Sequence, residues 1–187
     1  MLRKDEAFNK LYSILDESEK IITIGNFKKP KNVKGDVNGF FDPSTNNVSI
    51  LNFTEGAVEG TVAEEMFHAY QDQFYGSKFA QELRGTTALE TEAKLFRSQI
   101  KGNFGLNDAE ARLATRGYSV AFNFALSQVT ANYVSAIKGG GIIDSKIASQ
   151  FKLFYQSQHS IIRKAYKSKL MPSDNNSFKI GAFKSLY

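Results

Sequence analysis

The chain has 187 residues, 42% of them hydrophobic, enough for one domain with a sizeable core and too apolar for disorder to be the default. No cysteine is present, which removes disulfides, thiolate zinc sites and thiol nucleophiles together. The net charge of +5 is scattered, with some concentration at Arg163, Lys164, Lys167 and Lys169. No arginine-rich run or aromatic–basic alternation marks a nucleic-acid module, and a solvated basic face accounts for the excess.

The N-terminal residues carry charge but no continuous apolar core of a signal peptide, so the expected location is cytoplasmic or exported by a non-classical route. Phe8, Leu11, Tyr12 and Leu15 recur at helical spacing and predict a helix over about Lys4–Leu15. Ile21–Gly25 then reads as a short buried strand, followed by a polar connection containing Pro30 and Gly35. Gly39–Phe41 and Val48–Phe53 read as the arms of a hairpin, with turn chemistry supplied by Asp42, Pro43, Asn46 and Asn47.

From about Ala57 the pattern becomes helical. The first long helix should run to Phe74 and stop at Gly76. A second should begin at Thr86 or Thr87 and cover ALETEAKLFRSQI, before a loop at Gly102–Gly105. Asn107 with Glu110 resembles a capping box opening a third helix that extends toward Ile137. Within it, Tyr118–Ile137 is the most apolar long stretch. It contains Asn123, Gln128 and Asn132, so it is expected to be a buried helix and not a membrane span. Gly139–Gly141 breaks the pattern, a last helix covers about Asp144–Lys167, and residues 171–187 read as a loosely held tail. The expected class is α+β in a single domain over 1–187, with a small antiparallel sheet before the long helix and a mostly helical C-terminal half.

The stretch TVAEEMFHAYQDQFYG carries the chemistry. On a helical wheel Val62, Ala63, Met66, Phe67, Ala69, Tyr70 and Phe74 share one arc, and Thr61, Glu64, Glu65, His68, Asp72 and Tyr75 the other. Glu64 and His68 stand at i and i+4, so their side chains can converge on one point, with Glu65 displaced by one position. A charged outer arc is also what any solvated helix face shows. On the following helix Leu89, Ala93, Phe96 and Ile100 form an apolar stripe. Glu92 borders it and Glu90 points away, so Glu92 needs a partner, a metal or a cation such as Arg97 or Lys94. The strand NVSILNF just upstream is placed to edge a cleft and pair with an extended substrate.

EEMFHAYQ followed about twenty residues later by ETEAKLF resembles the zincin-like metallopeptidases, closest to their gluzincin branch. With FDPSTNNVSI before it, the segment Gly39–Gln99 is similar to the compact zincin-like domains of bacterial toxin and phage-associated proteins. The resemblance implies a zincin-like fold, a zinc ion held by His68 and Glu92, and Glu65 as general base. It places Glu64 where that family has its first histidine ligand, which makes Glu64 an atypical ligand. Two carboxylates and one histidine neutralise a divalent ion, weaken its Lewis acidity and favour harder ions such as manganese, iron or calcium. The implied partner is a peptide or protein, as substrate of a metal-dependent peptidase-like protein or as the ligand of a catalytically inactive zincin-like interaction module.

Other constellations are poorly supplied. Glu65 and His68 also match the Glu-x-x-His pair of di-iron bundles, but His159 has no glutamate three residues before it. A glycosidase could draw on Glu64, Glu65, Glu90 and Glu92, without a tryptophan to stack a sugar. GGGIID lacks the Gly-Lys-Ser/Thr of a phosphate loop, and no serine sits in a recognisable elbow.

Overall fold

The computed structural model describes residues 2, 5–27, 38–51, 57–76, 87–100, 131–137, 139 and 181–187. The chain divides into two compact units, Met1–Arg84 with Leu186, and Gly85–Ser185 with Tyr187.

In the first unit, α1 spans Glu6–Asp16, within two residues of where its periodicity places it. Asp5 caps it, its carboxylate accepting from the Phe8 amide at 3.0 Å, which satisfies one of the open donors of the first turn. Ala7, Phe8, Leu11 and Leu15 are buried along one face. Beyond the helix the Ser18 hydroxyl donates to the Leu15 carbonyl at 2.7 Å, taking up one of the acceptors left by the last turn.

Three strands follow: β1 (Thr23–Gly25), β2 (Gly39–Asp42) and β3 (Asn47–Ile50). Their order is β1–β3–β2. β2 and β3 form the expected antiparallel hairpin, with Phe41 opposite Val48 and Asp42 opposite Asn47. The Asp42 carboxylate accepts from the amide of Ser44 at 2.9 Å and from its hydroxyl at 2.6 Å, while Asn46 takes a left-handed φ of 54°. Both are turn devices that these residue types tolerate at little cost.

Three expectations fail here. The sheet is mixed and not antiparallel, because β1 runs parallel to β3. A tight turn forces β2 and β3 antiparallel, whereas β1 lies far from β3 along the chain, so a tight turn does not dictate its direction. β3 is also the central strand, bonded on both sides, and has no free ladder for an added strand. β1 lies at the margin of the sheet and is not buried: its Ile24 is 47% exposed, and Ile21 just before it 83%.

α2 (Ala57–Phe74) packs on β2, β3 and α1. It ends as expected at Gly76, whose φ of +84° is the left-handed conformation that favours glycine after a helix.

In the second unit, α3 (Thr87–Ile100) begins at the predicted threonine and buries Leu89, Ala93, Leu95 and Phe96. Residues 131–137 are helical, with Val134 and Ile137 buried, and residue 139 lies in a turn. α4 (Gly181–Lys184) packs against α3, and its Ala182 and Phe183 are fully buried. The loosely held tail expected from 171 therefore does not extend to residues 181–187, where apolar side chains tie the chain down. Among the described residues no helix is long and apolar enough to cross a membrane. The capping box at Asn107, residues 118–130, the helix over 144–167, His159 and residues 171–180 lie outside the described residues. Helices with a small three-stranded mixed sheet make the class α+β.

Candidate metal centre on the second helix

The polar arc of α2 is not a solvated face. Thr61 and Asp72 are buried, and Glu64 is only 8% exposed; Gln71, outside that arc, is buried as well. Glu65 and His68 are half-buried. Conversely Phe74, assigned to the apolar arc, is 45% exposed. A helix resting on both a sheet and a second helix is covered over more than one stripe, so a two-arc wheel misplaces its flanks.

Glu64 and His68, one helical turn apart, bring a carboxylate oxygen and an imidazole nitrogen within 4.8 Å of each other. Ligand atoms on one zinc-sized cation stand about 3–4 Å apart, so the pair fits a shared ion with no more than a rotamer-scale adjustment. The donor set, one carboxylate oxygen and one imidazole nitrogen, suits zinc and manganese alike.

His68 is oriented from its own helix. Its Nδ1 lies 2.8 Å from the side-chain oxygen of Gln71, three residues on and 1% exposed. The sequence reading gave Gln71 no role. Its i+3 spacing from the histidine was the available signal, and only the buried environment distinguishes it from an ordinary surface amide.

Glu65 occupies the adjacent row with Thr61. A Cβ placed on Gly39 of β2 would stand 2.5 Å from Thr61 Cγ2, 2.7 Å from the Ser49 carbonyl oxygen and 3.2 Å from Glu65 Cγ. Glycine is required there for the strand and the helix to approach this closely, and the stem of Glu65 rests beside the strand backbone. The C-terminal half of α2 is tied to the segment after α1. Lys20 donates to Asp72 at 2.9 Å, and the Gln73 amide nitrogen donates to the Ser18 hydroxyl at 3.0 Å.

In the second unit, the α3 carboxylates are both buried. Glu92 is 0% exposed, and its Oε1 accepts from the Phe183 amide at 2.8 Å, fastening α4 to α3. The wheel's view of Glu92 as a buried-edge carboxylate in need of a partner holds, and a backbone amide is one of its partners. Glu90, which the wheel directs away from the apolar stripe, is buried as well. The whole run Leu89–Ala93 is buried, so α3 is covered on all sides of its first turns.

No protein-family model matches the chain, and neither a curated relative nor a solved structure shows significant similarity to it.

Proposed function

We propose that α2 carries a divalent-metal centre of hydrolytic, peptidase-like type, with Glu64 and His68 as ligands and Glu65 as general base. The observation that carries this reading is the Glu64–His68 pair, whose ligand atoms converge within 4.8 Å while the carboxylate is held almost out of water. A buried carboxylate is costly unless it is paired or coordinates a cation, and a cation repays that cost. A bound divalent ion would supply Lewis-acid polarisation of a peptide carbonyl and of the attacking water.

The chain's own residues have separate duties in this scheme. Glu64 supplies negative charge where a histidine would leave the ion more acidic, so the centre tolerates harder ions and polarises less strongly. His68 offers a neutral nitrogen. Glu65, half-buried beside β2, takes the proton that the attacking water loses. The resemblance to zincin-like proteins would add Glu92 as a third ligand, but within its own unit the Glu92 carboxylate already accepts the Phe183 amide.

Metal content after exhaustive dialysis, compared between the native chain and His68→Ala, tests the reading. Added zinc or manganese at a hundredfold excess over the dissociation constant should stabilise the native chain by about 2.7 kcal/mol in thermal unfolding. His68→Ala should lose that gain. Equal, metal-free behaviour of both proteins would remove the metal centre. Glu92→Gln tests the ligand that the resemblance names: unchanged metal affinity in that variant removes Glu92 from the centre. Glu65→Gln should keep the metal and lose peptide hydrolysis. A chain that binds metal but cleaves no peptide would be a binding module and not a hydrolase.

A further inference from the structure

Gln71 is almost completely buried, and its side-chain oxygen faces Nδ1 of His68 at 2.8 Å. An amide oxygen can only accept, so the ring nitrogen opposite it must carry a proton. In a neutral imidazole that leaves the lone pair on Nε2, and the partner of one ring nitrogen thereby decides which atom can ligate. We infer that Gln71 is a positioning residue that selects the Nδ1–H tautomer of His68 and makes Nε2 its ligand atom.

Three features of the site support the assignment. Gln71 and His68 lie on one helix at i and i+3, so both side chains are held by the same rigid backbone and their separation does not depend on a loop. Burying an amide costs free energy unless its polar atoms are bonded, so an amide kept at a 1% exposed position needs a polar task. A neutral acceptor also suits its neighbourhood. The adjacent turn already carries Glu64 and Glu65, and a carboxylate at position 71 would add a third negative charge beside the ring. An amide orients the imidazole without that charge.

The consequence for metal affinity rests on the proposed metal centre. The tautomer itself does not, because it belongs to the metal-free chain. Long-range proton–nitrogen correlation spectra of the full-length, nitrogen-15 labelled protein read it directly, at a pH well above the ordinary imidazole pKa. The chain has two histidines, so His159→Asn assigns the signals. The expected result is a proton on Nδ1 of His68 in the native chain. Gln71→Met, which keeps length and bulk but removes the acceptor, should move the proton to Nε2, whereas Gln71→Glu should return it to Nδ1.

The native spectrum is decisive even if Gln71→Met fails to fold: a proton on Nε2 of His68 overturns the inference. An unchanged tautomer in a folded Gln71→Met does so as well. Titration with zinc alone separates the two readings. Where both hold, Gln71→Met binds zinc about 10–100-fold more weakly, the usual effect of losing a group that orients a ligand. A tautomer that shifts in a chain binding no zinc supports the positioning role and removes the metal centre. Zinc bound equally tightly by the native chain and by Gln71→Met, with an unmoved tautomer, does the reverse.

Discussion

Helices α1 and α2 belong to one unit and pack against each other, yet they are built on different rules. In α1 the buried set Ala7, Phe8, Leu11 and Leu15 follows the helical period, and Asn9, Ser13 and Asp16 face water. α2 buries Ala63, Met66, Phe67, Ala69 and Tyr70 and also Thr61, Glu64, Gln71 and Asp72. The contrast teaches where stability alone explains a sequence. α1 needs only its stripe and its cap. α2 retains polar groups where apolar ones of similar size would pack as well or better, and it holds them with specific partners such as Lys20 for Asp72 and His68 for Gln71. Among the described residues of this unit, that excess of buried polarity is concentrated on the helix that carries the proposed chemistry.

The comparison can be broken most forcefully at its shared part. Phe8→Ala in α1 and Phe67→Ala in α2 each remove a buried ring, and each should cost about 3–5 kcal/mol in urea unfolding. A small effect at one of the two would mean that the helices do not share a core. Gly39→Ala should cost about 1–3 kcal/mol, since its new methyl meets Thr61 and the Ser49 carbonyl and forces strand and helix apart. Pairing it with Thr61→Ser, which removes the nearest obstructing methyl, should recover part of the loss if the clash with α2 is the cause.

Smaller effects sharpen the polar side of the contrast. Lys20→Met should cost no more than about 1 kcal/mol, because the lysine is over a third exposed and its pairing with Asp72 is screened. Raising the salt concentration should shrink that difference further. Asp16→Ala, on the exposed face of α1, should stay within about 0.5 kcal/mol. A loss there comparable to that of Lys20→Met would erase the distinction between a solvated face and a held one.

Much of the fold was legible in the residues. The helix around Phe8–Leu15, the hairpin turned by Asp42 and Asn46, the stop at Gly76 and the helix start at Thr87 all depend on spacing and turn chemistry within a few residues. The i, i+4 convergence of Glu64 and His68 was legible for the same reason, since it follows from helix geometry alone. The role of Gln71 was half legible. Its spacing was visible, but an exposed amide at that spacing would mean nothing.

What the sequence by itself determined, then, is the local grammar: which segments are helix or hairpin, where they stop, and which side chains on one helix can meet. Only the tertiary structure decided the parallel placement of β1, the central position of β3 and the burial of Glu64, Gln71 and Asp72. It also decided that Glu92 bonds the amide of Phe183, 91 residues further along the chain. Periodicity reports the angle of a side chain about its own axis, while burial depends on what other segments cover that angle. No window along the chain contains that information.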